Sequence, residues 1–122
     1  MVTSTTPLSD DFKIDTQPAD KGVVLVTING YLDAHTFERL EQTIAELFNK
    51  NQYNLVVDLS GVEYISSAGA GVFIHALNEA HEHKGNIVLM KPTPNVREVF
   101  DLLGLTLFFQ IVEDRATALA NF

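Results

Sequence analysis

A junction between a strand and a helix at residues 55–83 constrains the fold of this 122-residue chain more than any other feature. Leu55, Val56 and Val57 form an apolar run typical of a strand that is buried on both faces. Apolar residues at helical spacing begin near Ser67. A strand that leads directly into a helix is typical of α/β folds, in which helices connect parallel strands. We therefore expect a largely parallel sheet covered by helices.

Further periodic segments lie on both sides of this junction. Alternating residues from Phe12, a turn at residues 18–22 and an apolar run at residues 23–28 predict a hairpin of two strands. The segments that follow alternate between helix and strand, at residues 37–48, 53–59, 67–83, 87–90, 94–103, 107–112 and after residue 114. The order ββαβαβαβα predicts an α/β fold with a mixed, mostly parallel five-stranded sheet and about four helices.

Polar residues of the types favoured at N-cap positions stand at the start of three predicted helices. Asp33 is predicted to cap the first helix, Thr93 followed by Pro94 the third, and Asp114 the last. Leu103 completes the apolar stripe of the third helix, which Gly104 is expected to end.

Composition excludes several classes of function. The net charge of −8, with only eight basic residues, disfavours nucleic-acid binding. Cysteine is absent, and no apolar run reaches the ~18–20 residues of a membrane-spanning helix. The first ten residues lack the features of a secretory signal. We expect a cytoplasmic protein, without membrane insertion, with a flexible tail at residues 1–10 and one domain at residues 11–122.

The sequence offers little support for catalysis, a metal or a cofactor. His75, Glu79 and His83 lie on one predicted helix face, but two turns separate the histidines, so no metal site is expected. Gly69 and Gly71 lack the third glycine of a dinucleotide fingerprint. No serine, histidine and aspartate occur in the order of a catalytic triad, and no lysine is placed to hold a phosphate. We therefore expect neither an enzyme nor a bound cofactor.

The two loops that follow adjacent parallel strands are predicted to meet. Asp33 and the Ser66–Ser67 turn each follow a strand's carboxyl end, so they should be neighbours at one edge of the sheet. Free backbone N–H groups and the helix dipole favour an anion at the start of a helix. A serine at this turn can therefore carry a phosphate without disrupting the fold. The alternative is that both serines are only helix caps.

The chain resembles the STAS domain family, named for sulfate transporters and anti-sigma factor antagonists. The resemblance covers residues 12–122, and three segments carry it: residues 30–36, 55–69 and 96–105. In similar stand-alone members, a kinase that is also an anti-sigma factor phosphorylates the serine before a small residue and glycine. That position is Ser67 here. Well-known members have aspartate where this chain has Ser66, so Ser66 is an alternative acceptor.

The resemblance implies a switch in partner binding. The unphosphorylated protein binds the anti-sigma factor serine kinase and frees a sigma factor, phosphorylation releases it, and a PP2C-type phosphatase resets it. The implied partner-binding residues are Asp33, Ala34, His35, Thr36, Tyr64, Ser66, Ala68, Gly69 and Ala70. We expect a monomer or a weak dimer. The alternative is a STAS subunit of a transport or scaffold complex in which Ser67 is never modified.

Overall fold

The computed structural model describes residues 11–122 and contains five strands and four α-helices in that range. The expected tail at residues 1–10 lies outside the described residues. The strands are β1 (Lys13–Pro18), β2 (Val24–Leu32), β3 (Asn54–Ile65), β4 (Asn86–Met90) and β5 (Gln110–Val112). The helices are α1 (Phe37–Asn49), α2 (Ser67–Glu82), α3 (Pro94–Leu102) and α4 (Arg115–Leu119). Within the described residues, short 3-10 helices lie at Asp20–Gly22 and Leu105–Leu107.

The strands form one sheet in the order β1-β2-β3-β4-β5. β1 pairs antiparallel with β2, whereas β2, β3, β4 and β5 are mutually parallel. The predicted order ββαβαβαβα, the amino-terminal hairpin and the central place of β3 are thereby confirmed. Leu32 pairs with Ile65, so β2 and β3 end side by side.

Apolar side chains fill both faces of the sheet. On one face, residues of α1, α2 and α3 pack with alternate strand residues such as Leu55 and Val57 in the larger core. On the other face, Val56 and Val88 belong to a smaller core that includes Ala118 of α4. Because consecutive strand residues point to opposite faces, the run from Leu55 to Val57 serves both cores.

The apolar stripes predicted for the first two long helices are confirmed. Leu40, Ile44, Leu47 and Phe48 are the buried residues of α1, while its charged residues face outward. The predicted buried set of α2 is also observed: Val72, Phe73, Ala76, Leu77 and Ala80. Residues three and four apart lie on one helix face, so apolar residues at this spacing predict a buried stripe.

Strands β2 and β3 extend further than predicted, because two register shifts carry their pairing past polar residues and glycine. The prediction ended the first of them at Ile28 and the second at Leu59. Gly30 has φ +106° and packs against the backbone of Asp11 and Phe12, which only a residue without Cβ tolerates easily. The two strands thus remain paired, across these register shifts, as far as the edge where α2 begins.

The predicted strand at residues 107–112 is shorter in the structure, where β5 begins at Gln110. Gly104 adopts φ +77° and turns the chain into the 3-10 helix, which buries Leu105. Leu107 and Phe108 are 84% and 65% exposed. Leu103, predicted to lie on the apolar stripe of α3, follows the last helical residue, Leu102, and is 45% exposed. The predicted end of α3 at Gly104 thus agrees with the structure, whereas the start of β5 was predicted three residues too early.

Candidate functional site

Ser66 caps α2. Its backbone is extended, with φ −95° and ψ 170°, and its Oγ accepts a hydrogen bond from the Gly69 N–H at 3.1 Å. Its carbonyl accepts from the Ala70 N–H at 2.9 Å. The cap satisfies one of the amides that the first helical turn leaves without an intrahelical acceptor. The Ser66 hydroxyl is therefore engaged in holding the start of the helix.

Ser67 is the first residue of α2 and is exposed. Within residues 11–122, no hydrogen bond engages its hydroxyl. Ala68, which follows it, is also exposed. The amides of Ser67 and Ala68 lie in the first helical turn, at the positive end of the helix dipole. This environment suits an anionic group on the Ser67 Oγ.

The start of α2 is joined directly to the end of β2. The Ser66 N–H donates to the Leu32 carbonyl at 2.9 Å. Gly69 is buried against Leu32: a Cβ at position 69 would lie 2.7 Å from the Leu32 carbonyl oxygen and 2.8 Å from its Cγ. The predicted proximity of the two loops is confirmed, and the space available at position 69, where the first turn of α2 contacts the end of β2, fits only a glycine without movement of its neighbours.

The prediction that Asp33 caps α1 is wrong. Residues 33–36 form a turn, and α1 begins at Phe37 with Thr36 at the N-cap position. The Asp33 carboxylate accepts from the His35 N–H at 2.9 Å within this turn. Its carbonyl accepts from the Phe37 N–H at 2.9 Å. Asp33 therefore shapes the loop between β2 and α1, as short polar side chains often do in turns.

The partner-binding residues expected from the sequence divide into two groups. At the sheet edge, those with exposed side chains are Ala34, His35, Tyr64 and Ala68, and Asp33 and Ser66 are partly exposed. Thr36, Gly69 and Ala70 are buried. The buried residues expose little surface to another protein. They pack below the exposed residues and support them.

Tyr31 lies in this surface although sequence reasoning did not select it. It pairs with Tyr64 across β2 and β3, and the ring centroids are 5.9 Å apart. The two side chains are 43% and 49% exposed. A strand extended through residue 32 would have revealed Tyr31, because it alternates with the buried Gly30 and Leu32.

The remaining polar candidates have local roles. The His83 ring stacks on Tyr53 with centroids 4.1 Å apart, and its Nδ1 lies 3.0 Å from the Glu79 carbonyl oxygen. Across residues 11–122, no three histidine, aspartate or glutamate side chains gather as metal ligands would. The Asp58 carboxylate accepts a hydrogen bond from the Ser60 N–H at 2.9 Å and is thus bound to nearby backbone. None of the helices described from residue 11 onward has the length and apolar character to cross a bilayer.

Comparison with known proteins gives consistent matches. The model of the STAS domain matches residues 16–118. BtrV of Bordetella bronchiseptica, named as a candidate anti-sigma factor antagonist, is 32% identical over 101 residues, which cover 83% of this chain and 87% of BtrV.

Two solved structures resemble this fold closely. An anti-sigma factor antagonist from Mycobacterium paratuberculosis aligns with a TM-score of 0.82 and 27% identity, over 92% of this chain and 94% of that one. The phosphorylated form of SpoIIAA, a Bacillus cell fate determinant, aligns with a TM-score of 0.70 and 19% identity, over 89% and 98% of the two chains. At that identity, the second match shows the fold alone. Because the family model covers most of the chain, the protein belongs to the STAS domain family.

Proposed function

We propose that this protein is an anti-sigma factor antagonist that acts as a phospho-switch and not as an enzyme. Without phosphate, it binds an anti-sigma factor that is also a serine kinase, and thereby frees a sigma factor or another target. Phosphorylation of Ser67 ends this binding, and a PP2C-type phosphatase restores it. Residues 11–122 act as the switching domain, and the cytoplasm is the expected location. The names of relatives such as BtrV support the antagonist function.

The accessibility of Ser67 is the observation that carries the proposal. Both serines lie at the start of α2, but the Ser66 Oγ is hydrogen-bonded to the Gly69 amide. Ser67 is exposed and free of such a bond within the described chain. A kinase can reach the Ser67 Oγ without breaking the helix cap. We therefore assign Ser67, and not Ser66, as the acceptor.

The geometry also supports release without unfolding. A phosphoserine adds about −1.5 to −2 charges, which a helix amino terminus tolerates. A partner packed against Ser67 and the small Ala68 would instead meet a desolvated dianion, and close contacts between like charges are strongly unfavourable. The energetic effect of phosphorylation therefore falls on the interface and leaves the domain folded.

Intact-mass spectrometry tests the acceptor assignment. The protein is incubated with ATP and an anti-sigma factor serine kinase purified from the same organism. We expect the wild type and Ser66→Ala to gain one phosphate, and Ser67→Ala to gain none. Undiminished phosphate uptake by Ser67→Ala would contradict the assignment to Ser67.

The same experiment separates the switch from its alternative. A wild-type chain that binds the kinase but takes up no phosphate would favour an unmodified STAS subunit of a larger complex. Thermal melting of both alanine variants is the folding control. Because Ser66 is the helix cap, we expect Ser66→Ala to lose about 1 kcal/mol of stability and Ser67→Ala to lose less.

A further inference from the structure

Thr36 is the one polar or charged residue of the described chain that is buried, with 2% of its surface exposed. It lies at the N-cap position of α1 but makes no side-chain capping bond to that helix. Burial of a hydroxyl is unfavourable unless hydrogen bonds compensate for the lost water. The bonds that Thr36 makes therefore indicate what the residue holds in place.

The Thr36 hydroxyl binds two backbone groups of the loop that precedes it. The Oγ1 donates to the Tyr31 carbonyl at 2.7 Å. It accepts from the Asp33 N–H at 3.0 Å. The Asp33 Oδ1 lies 3.4 Å from the same hydroxyl, but the single hydroxyl hydrogen is already directed at the shorter bond. Thr36 thus ties the end of β2 to the first residue of the turn.

Leu32 lies between Tyr31 and Asp33, and it contacts the first turn of α2. Leu32 accepts from the Ser66 N–H and packs against Gly69. Tyr31 and Asp33, on either side of Leu32, are both held by Thr36. The loop that exposes Ala34 and His35 and the turn that exposes Ser67 are therefore fixed to adjacent residues at the end of β2.

We propose that Thr36 is a positioning residue for phosphorylation of Ser67. Its hydroxyl holds the Tyr31 backbone and the turn at residues 33–35 in one arrangement beside Ser67, so that the kinase meets a preformed surface. Thr36 itself touches neither the kinase nor the phosphate. This inference rests on the proposed function of Ser67.

Valine and serine substitutions separate the hydroxyl from the methyl group of Thr36. Thr36→Val removes both hydrogen bonds at similar volume, and Thr36→Ser keeps them. Loss of one or two such bonds changes an equilibrium by about tenfold. We expect Thr36→Val to raise the KM of the kinase for this protein about tenfold, with kcat changed less than twofold. Thr36→Ser should remain within about threefold of the wild-type KM.

Amide hydrogen exchange gives a readout that needs no kinase. In Thr36→Val, exchange of the Asp33 amide should accelerate about tenfold, because its acceptor is gone. Asp114→Ala is the control for general destabilisation, since it removes the cap of α4, whose core lies on the opposite face of the sheet from that of α1. It should leave both the KM and Asp33 exchange at wild-type values. If valine disturbs packing, Thr36→Ala replaces Thr36→Val in both measurements, since it also removes the two hydrogen bonds.

The outcomes distinguish failure of this inference from failure of the proposed function. A phosphorylated wild type together with a wild-type KM for folded Thr36→Val would overturn the positioning role alone. A raised KM for Asp114→Ala would also overturn it, since general destabilisation would then explain the effect. If the wild type takes up no phosphate, the proposed function fails, and the positioning role fails with it.

Discussion

At the scale of single residues, Gly69 fixes the distance between α2 and β2. A methyl group at this position would lie 2.7 Å from the Leu32 carbonyl oxygen, so the helix or the strand has to move. Such overpacking costs about 1–3 kcal/mol, and the better helix propensity of alanine offsets about 1 kcal/mol. We predict that Gly69→Ala lowers the free energy of unfolding by up to about 2 kcal/mol in urea denaturation.

Gly71 provides a matched control on the same helix. No atom lies within 4 Å of a Cβ built at Gly71. Gly71→Ala should therefore raise stability by about 0.5–1 kcal/mol through helix propensity alone. Equal effects of the two substitutions would show that the contact with Leu32 does not limit position 69.

Residue roles could be predicted where one local bond decides them. The caps Thr93 and Asp114 were predicted, and each accepts from the amide three residues later. Asp33 was assigned a cap incorrectly because aspartate suits both caps and turns. In the structure α1 begins only at Phe37, and the buried hydroxyl of Thr36 bonds the Tyr31 carbonyl and the Asp33 N–H in the turn before it. Sequence spacing does not contain that information.

At the scale of elements, the cap of the short helix α4 depends on pH. The Asp114 carboxylate accepts from the Thr117 N–H at 2.7 Å. Hydrogen bonds to the Thr117 backbone and side chain lower the pKa of Asp114 below its ordinary value of 3.8. A carboxyl group whose pKa is lower in the folded protein stabilises it above the unfolded pKa, and this contribution disappears as pH falls through the folded pKa.

Thermal melting of Asp114→Ala across pH measures this contribution. We predict that the wild type melts above Asp114→Ala at pH 7 and that the difference shrinks as the pH falls below about 3.8. Asp114→Asn is the control, since its amide oxygen keeps an uncharged acceptor at the cap. The difference in melting temperature between Asp114→Asn and Asp114→Ala should change less with pH than the difference between the wild type and Asp114→Ala. A wild-type advantage that persists unchanged into acid would contradict a role for the ionised carboxylate.

The existence of each element was easier to predict than its ends. Long apolar stripes identified α1 and α2, because helical periodicity extends over several turns in each. β2 and β3 continue past Ile28 and Leu59 and remain paired across two register shifts. The β5 segment contains only three residues, and Gly104 redirects the chain before it. Ends set by tertiary pairing and turns are not encoded in local periodicity.

At the scale of the whole molecule, the architecture followed from the alternation of element types. Connections from one parallel strand to the next place successive helices along the same sheet. That rule predicted that the loops after β2 and β3 would meet, and the bond from Ser66 to Leu32 confirms it. The aromatic pair of Tyr31 and Tyr64 was not predicted, since it requires the register between two strands. The position of the candidate site was thus predictable, but the full composition of its surface was not.

The whole domain should tolerate a negative charge at Ser67 while its binding does not. Ser67 is exposed at the amino end of α2, where the helix dipole favours an anion, so Ser67→Asp should melt within about 2 °C of the wild type. The same substitution should weaken kinase binding at least tenfold in titration calorimetry, because the charge loses water in the interface. Ser67→Asn, of similar size without charge, should bind more tightly than Ser67→Asp. If the two variants bind the kinase equally, the weaker binding is due to side-chain size and not to charge. If Ser67→Asp instead melts at a much lower temperature, phosphorylation acts by unfolding the domain.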